Sequence, residues 1–504
     1  MRDYLDLELH GLAHDGRGVG RLDAPGRPGG RGITVFVAGG FPGQFVRCRV
    51  KARKARFLEA ELVEVLRPAP DAVSPLCPHA TRSPGAPGCG GCPLQTMPYD
   101  RQIHWKERLA RDALIRIGGL DAGTLDAAWE ATLPSPALSG FRNRMTFAFG
   151  AGESGLVLGQ RSRGGAHVVP TPGCALLPPG GRELLAEAQA AAASSGLPAW
   201  RASGRRDRKG TSGTGFWRFL TLRQGWLAGE SEPRWWALCV TSPGGTAERA
   251  KVRALGKRLL ALGAPARLGC FIHEERGRDD ALASGERRIL CLDAHGAENP
   301  DAALLRLPLA GRFFALDAAS FFQVNTGAAE VLARAVMDMV PVECGHGLLD
   351  LYCGVGAPGQ LLTGSYATVL GMERDPSAVL LAARNAADAG LTGCRYIAGD
   401  AEALLKRLTA GAPLPGLGKD LKFPTWDTAL LDPPRGGLAP AALDALLHLA
   451  PAHILYVSCN PATLARDAAQ LSAAYTLERL TAVDLFPHTP HLECCSLWRR
   501  KLSA

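Results

Sequence analysis

A chain of 504 residues, 46% hydrophobic and 21% charged, is longer than one core usually supports and has the make-up of an ordinary globular protein, so several domains are expected. No apolar run approaches the ~18 residues a membrane helix needs, and the acidic start MRDYLDLELHGL has no secretory apolar core, so the expectation is a cytoplasmic protein without a membrane partner. A net charge of +9 and fourteen cysteines are compatible with a polyanionic partner and point to metal ligands and catalytic thiols rather than disulfides.

In chain order, residues 3 to about 66 alternate apolar and polar positions in short segments broken by glycine (LDLELHGLAHDGRGVGRL, ITVFVAGGFPGQFVRCRVKA, FLEAELVEVL). Such period-two patterning predicts a small antiparallel barrel of the kind that binds oligonucleotides. Basic runs at Lys51, Arg53, Lys54 and Arg56, and at Arg201, Arg205, Arg206, Arg208 and Lys209, are candidate nucleic-acid contacts or simply solvated faces. Residues 68–98, rich in Pro, Gly and Cys, read as an irregular segment that something other than a hydrophobic core must order. A helix is predicted over 99–117. Residues 130–310 read as mixed α/β, with strands in FRNRMTFAFG and WRFLTLRQG and a helix over 182–193. From Phe313 onward strand-like runs (LLDLY, ATVLGM, residues 428–432, HILYVS, LTAVDLF) alternate with helical ones, which predicts a doubly wound, mostly parallel sheet with ligands at the carboxyl ends of its strands. The expected division is 1–66, 67–310 and 311–504.

Within that last region LLDLYCGVG places Asp350 at a strand end before a glycine turn, and about 20 residues on Glu373 ends the next strand, where a carboxylate can accept both hydroxyls of a ribose. This is nucleoside binding, with a dinucleotide and S-adenosylmethionine both open. Two glycines, Gly354 and Gly356, are read in the turn, which favours a methionine tail over a pyrophosphate. Cys459 in ILYVSCNPATLARD follows an apolar strand and precedes an Asn-Pro turn, a position suited to nucleophilic attack as well as to burial. Cys77, Cys89, Cys92 and Cys174 could hold a tetrahedral zinc or a cubane iron-sulfur cluster, and spacing does not choose.

Read together, LLDLYCGVG, ALLDPPRGG, ILYVSCNPATLARD and FPHTPHLE resemble the RNA 5-methyluridine methyltransferase family, which methylates carbon 5 of uracil from S-adenosylmethionine. The resemblance spans nearly the whole chain. It implies an amino-terminal TRAM-like RNA-binding barrel, a central α/β region with an iron-sulfur segment and a Rossmann-like catalytic domain. It also implies Cys459 as nucleophile, made a thiolate by a polar or electropositive pocket, and Glu493 as the base that removes the carbon 5 proton. Gln323, Tyr352, Gly354, Gly356, Glu373, Asp400 and Asp432 would line the cofactor pocket. Cys77, Cys89, Cys92 and Cys174 would hold a [4Fe-4S] cluster with a structural, RNA-facing role. That cluster and the barrel mark the 23S ribosomal RNA branch, so rRNA is the favoured partner ahead of the tRNA T-loop, and the protein is expected to act as a monomer. A non-catalytic RNA-binding protein of the same fold is the alternative from another class. Two departures stand out. Ala357-Pro358 replaces a polar residue followed by an aromatic, so one cofactor hydrogen bond is expected to be missing. Eleven residues, including SPGAPG, separate Cys77 from Cys89, more than the family spacing.

Overall fold

A computed structural model describes residues 4–22, 32–80, 88–153, 155–163, 165, 167–207, 210–278, 282–341, 345–417 and 426–501, and the side chains of 203–212 are left aside. Most of the SPGAPG insertion, Arg208, Lys209 and the side chains of Arg205 and Arg206 therefore lie outside the described residues. The chain forms two compact units: Met1–Leu109 with Phe147–Ala175 and Phe486–His491, and Ala110–Thr146 with Leu176–Leu485 and Leu492–Ala504.

In the first unit β1 (Tyr4–Leu12), β2 (Gly18–Leu22), β3 (Ile33–Ala38), β4 (Phe45–Arg53) and β5 (Phe57–Arg67) close a barrel in the order β1-β2-β3-β5-β4. Alternate side chains of a strand face opposite sides, and here Leu7, Leu9, Val35, Val37, Val46 and Leu58 fill the interior. Glycine in β2 makes room for them: a Cβ on Gly20 would lie 2.4 Å from Leu7 Cδ1, and one on Gly18 2.7 Å from Leu9 Cδ1. On the outer face acidic residues meet Lys51 of the basic run and its neighbours Arg47 and Arg49. Lys51 pairs with Glu61 at 3.3 Å and Arg47 with Asp6 at 2.8 Å; exposed pairs of this kind contribute only ~0–1 kcal/mol each.

A second small core, Leu12, Phe41, Ala69, Leu94, Met97 and Trp105, packs the irregular segment and the start of α1 (Tyr99–Arg116) against the barrel. The chain passes through α2 (Ala122–Ala128) and β6 (Trp129–Leu133) of the second unit, and β7 (Arg144–Gly152) leads it back to the first. There β8 (Gly155–Arg161) pairs antiparallel with β7 and with β9 (Val168–Pro170).

The second unit continues with α3 (Gly181–Ser194), the hairpin β10 (Arg201–Asp207) and β11 (Gly210–Thr214), and β12 (Trp217–Gly225), β13 (Arg234–Thr241), α4 (Thr246–Leu260), β14 (Leu268–Glu275) and β15 (Arg287–Asp293). Of these sheet partners only β13 and β14 run parallel, and α4 supplies the crossover that a parallel pair requires. A hairpin of β16 (Leu304–Leu309) and β17 (Arg312–Asp317) and α5 (Thr326–Asp338) precede the carboxyl-terminal sheet.

That sheet takes β18 (Gly347–Leu351), α6 (Ala357–Leu361), β19 (Thr368–Glu373), α7 (Pro376–Asp388), β20 (Cys394–Ala398), α8 (Ala401–Thr409), β21 (Trp426–Leu431), α9 (Pro440–Leu449), β22 (His453–Ser458), α10 (Pro461–Ala474), β23 (Tyr475–Val483) and β24 (Glu493–Arg500). Its strand order is β20-β19-β18-β21-β22-β24-β23-β6. The five strands from β20 to β22 are parallel, and β24 is antiparallel to both its neighbours. From β18 the chain first builds outward to β19 and β20, then returns to β21 on the other side. Such a switch point opens a crevice at the carboxyl ends of the strands. Leu349, Leu351, Leu370, Leu431, Ile454 and Tyr456 are fully buried beneath it. Among the described residues no helix is long and apolar enough to cross a membrane.

Candidate active site

At the switch point Asp350 is buried, its Oδ2 accepts the Gly359 N–H at 3.0 Å, and its Oδ1 has no partner. Burial pushes this carboxyl up to about 8, with the charges of Asp432 and Glu373 adding to the rise. After β18 the backbone turns through positive φ at Tyr352 (65°), Gly354 (53°) and Gly356 (81°). A Cβ on Gly356 would stand 2.6 Å from Gln360 Nε2 and 2.9 Å from the Tyr396 hydroxyl, so no side chain fits. A third glycine, Gly359, was passed over in the sequence. A Cβ there would lie 2.5 Å from Asp350 Oδ2, so this glycine seats α6 against β18, and the turn has the full G-x-G-x-x-G spacing. Counting glycines therefore does not separate a methionine tail from a pyrophosphate.

Glu373 ends β19, its Oε2 accepting the Gly354 N–H at 3.2 Å and its Oε1 the Asp375 N–H at 2.9 Å. Each oxygen keeps a second acceptor position, as a ribose would need. Asp400 caps α8 through the Glu402 N–H at 3.0 Å, and its charge raises the Tyr352 phenol after burial has done most of that work. The loop bearing Gln323 is pinned on both sides: Asn143 donates to the Gln323 carbonyl at 3.0 Å, and buried Asn325 donates to Ser135 Oγ and the Leu485 carbonyl, both at 3.1 Å. The unpartnered Asp350 oxygen, the open turn and the strand-end carboxylate fit a nucleoside-bearing cofactor.

Cys459 sits between β22 and α10, half-buried. Asn460 fixes this corner: its Oδ1 caps α10 at the Ala462 N–H (3.1 Å) and its Nδ2 donates to the Arg435 carbonyl (3.1 Å). Buried Asp467 completes the brace, accepting from the Tyr456 hydroxyl at 2.7 Å and the Leu438 N–H at 3.0 Å. Because Ser458 of β22 opposes Cys494 of β24, Cys459 and Glu493 stand at adjoining ends of neighbouring strands. Burial pushes Glu493 up to about 8, Asp432 raising it further and Arg435 lowering it. Asp432 itself is pushed up to about 7 by desolvation. The Cys459 thiol is pushed up to about 11, by burial first and then by Glu493 and Asp432, against the pull of Arg435. The expected depression of this thiol is thus reversed, by burial first and by the two carboxyl groups after it. Arg435, two residues past the first proline of the DPPR stretch, and Asp467, the last residue of ILYVSCNPATLARD, shape this corner without any local signal in the sequence that marks them.

The loop leading to Glu493 is clamped within the first unit. Gln102 Oε1 accepts the His488 N–H at 2.8 Å, and its Nε2 donates to the carbonyls of Met97 (2.8 Å) and Leu94 (3.1 Å). Lys106 donates to the Phe486 carbonyl at 3.0 Å. Both side chains are buried, and His488 takes a positive φ of 67°. Leu94, two residues past Cys92, donates in turn to the His488 carbonyl at 3.0 Å.

Cys77, Cys89, Cys92 and Cys174 all fall in this same unit and none forms a disulfide. The Cys89 N–H donates to the His79 carbonyl at 2.9 Å and the Cys77 N–H to Gln95 Oε1 at 2.9 Å. Burial raises the Cys89 thiol; its Gly91 backbone bond and the charge of Arg163 lower it, while neighbouring Cys77 raises it. The donor chemistry suits a soft metal or cluster. Among the described residues, however, no three His, Cys, Asp or Glu side chains converge closely enough to hold a metal ion.

Residues 301–501 match the tRNA (uracil-5-)-methyltransferase family model and residues 2–63 the TRAM domain. An uncharacterized RNA methyltransferase of Nitratidesulfovibrio vulgaris is 37% identical over 99% of this chain and 96% of its own. Another, of Thermosynechococcus vestitus, is 31% identical over 98% and 97%. The chain belongs to the RNA (uracil-5-)-methyltransferase family. The Pyrococcus abyssi tRNA (uracil-54, C5)-methyltransferase, solved with S-adenosyl-L-homocysteine, shares the fold at a TM-score of 0.66 and 24% identity, over 98% of this chain and 100% of its own.

For this RNA methyltransferase the buried carboxyl gives a pH signature. Glu493 holds its proton in the fold up to about 8 against an ordinary value of 4.5. The folded state therefore binds more protons between these values, and stability falls as pH rises through that window. Glu493→Gln removes the cost, so its lead in thermal stability over wild type should widen by a few kcal/mol between pH 5 and pH 8 and then level. A lead that does not change with pH contradicts the burial of an ionisable group here. Gln102→Leu should take the side-chain partner from the His488 N–H and the Met97 carbonyl, costing roughly 2–5 kcal/mol of stability, and should lower kcat more than it raises KM for RNA. Wild-type denaturation and wild-type kcat in this variant would show that the clamp is idle.

Proposed function

We propose that this protein methylates carbon 5 of a uridine in structured RNA through a covalent Cys459-uracil adduct, with 23S ribosomal RNA ahead of tRNA as substrate. The juxtaposition of Cys459 with Glu493 and Asp432 supports this most directly. Bound S-adenosylmethionine supplies an electrophilic methyl group; Asp350, Tyr352, Gly354, Gly356, Glu373, Asp400 and Gln323 would form its seat. The target base must leave its stack to reach the crevice.

Cys459 loses its proton to a neighbouring carboxylate or water, and its sulfur bonds to carbon 6 of the ring. The electron pair of the ring double bond moves toward carbon 5, which becomes nucleophilic. After carbon 5 has gained the methyl group it still bears a proton. The Glu493 carboxylate removes that proton, the pair re-forms the double bond, and the carbon-sulfur bond breaks with the thiolate leaving. Arg435 favours the ionised forms of both residues.

The four unbridged cysteines in one unit, with Cys77 and Cys89 close enough to influence each other, support a [4Fe-4S] cluster in a structural role, since none of these steps transfers an electron. The tRNA reading keeps one support of its own: a protein named as a tRNA methyltransferase matches this layout over its whole length, so barrel and layout together do not decide the RNA. Loss of 5-methyluridine from rRNA, or from tRNA, in a strain lacking this protein decides between them.

Cys459→Ala should abolish turnover and form no adduct, whereas Glu493→Gln should permit attack and methyl transfer and then stall. A methylated RNA-protein adduct resistant to denaturing electrophoresis should accumulate with Glu493→Gln alone. Adduct formation by Cys459→Ala would falsify the assignment. Protein purified without oxygen should be brown with about four irons per chain, and should lose the colour on Cys89→Ser/Cys92→Ser. Stoichiometric zinc and no iron in such preparations would rule the cluster out.

A further inference from the structure

The first unit contains an open cleft of about 510 Å3, lined by the β1–β2 turn, the end of β3, the Gly90-Gly91 stretch between two cysteines, and residues 160–163 at the end of β8. Its volume falls in the ~300–1,000 Å3 range of ligand sites, but its walls are wrong for an apolar ligand. Arg17, Arg161 and Arg163 line it, no aromatic side chain does, and Asp15 is the one acidic residue among those described.

Asp15 is already committed, binding Arg17 Nε at 2.7 Å through Oδ2 and the Arg17 N–H at 3.2 Å through Oδ1. The Arg17 guanidinium also lies 4.9 Å above the Phe36 ring, so it is held in place before any ligand arrives. Arg163 is braced by the Pro93 carbonyl at 3.1 Å. Arg161 is exposed, and its guanidinium makes a long bond, 3.5 Å, to the Gly165 carbonyl. Glycine lets the walls close around these cations. A Cβ on Gly39, which has φ 99°, would lie 2.9 Å from Arg163 Nη1, and one on Gly90 would lie 2.9 Å from the Arg161 carbonyl. Guanidinium groups fixed in this way suit the planar, multiple hydrogen bonding of phosphate oxygens.

We propose that this cleft grips the phosphodiester backbone of the RNA substrate where it passes between the barrel and the cysteine-bearing loop. The inference rests on the RNA-substrate reading. It adds a contact that carries no base information, since a grip on phosphate fixes position without reading a base edge. It also gives the Gly90-Gly91 stretch a role: the loop that carries Cys89 and Cys92 forms one wall of the RNA site, so disorder in that loop would weaken RNA binding.

The test uses the full-length protein and an RNA transcript that the wild type methylates, with affinity measured by filter binding across a series of salt concentrations. Arg161→Gln should weaken RNA binding roughly tenfold and reduce the salt slope by about 0.7, the loss of one phosphate contact. Arg161→Glu should weaken it further, and S-adenosylmethionine binding by calorimetry should be the same in all three proteins. Arg163→Gln should act in the same direction; Arg161 is exposed and carries the test if that second variant folds poorly. Wild-type affinity and salt slope in Arg161→Glu would overturn the proposal, as would inorganic phosphate or a mononucleotide filling the cleft with RNA affinity unchanged. Those results leave wild-type methylation standing. A wild type that methylates no RNA would instead sink the functional reading on which the cleft depends.

Discussion

Everything in the catalytic unit answers to one constraint: three carboxyl groups, Asp350, Asp432 and Glu493, are held out of water on interior strands of the sheet or at their ends, where burial pushes each of them to about 7 or 8. Taking an ionised carboxylate from water costs several kcal/mol unless it is paired or neutralised. The fold does not remove that cost with a buried cation beside each group. It spends rigidity around them instead. Asp467 ties β22 to the DPPR loop, Asn460 ties that loop to α10, and Asn385 bonds the Ala315 backbone and the Val355 carbonyl. These side-chain amides and carboxylates satisfy loop backbone that would otherwise be buried unpaired. Clustered groups displaced from their ordinary ionisation are a mark of a working site rather than of a packed core.

Where local chemistry dictates structure, the sequence was legible. The barrel follows from period-two alternation, with β2 glycines opposite β1 leucines, and the parallel strands follow from short apolar runs such as LLDLY and HILYVS, buried on both faces. The helix over 99–117 ends within a residue of α1. What stayed hidden depends on chain segments distant in sequence. WEATL has no pattern that announces β6, because its strand partner is β23, some 350 residues away. Gln102 and His488 are 386 residues apart, and the returns of 147–175 and 486–491 to the first unit leave no local mark. Cys459, Glu493 and Asp432, singled out in the sequence, come within electrostatic reach of one another, but the direction of the thiol's shift was not legible. That depended on how deeply the fold would bury the thiol and, after that, on the carboxyl groups brought to the same corner.

That register bears on the order of events in the covalent reading. A thiolate at Cys459 and a carboxylate at Glu493 each make the other harder to ionise, because like charges in a poorly solvated corner repel. The first half of the cycle needs the thiolate, and a protonated Glu493, favoured up to about pH 8, leaves room for it. Once sulfur is bonded to carbon 6 its charge is gone, the repulsion on Glu493 disappears, and the carboxyl ionises more readily just as a proton must be taken from carbon 5. When the base has taken that proton it is neutral again, and the departing thiolate meets no carboxylate charge from it. Two groups that could not comfortably be charged together are required one after the other, and Arg435 opposes the rise of both. Moving Glu493 away from Cys459 by one register step would turn its side chain to the opposite face of the sheet and uncouple the two halves of the cycle.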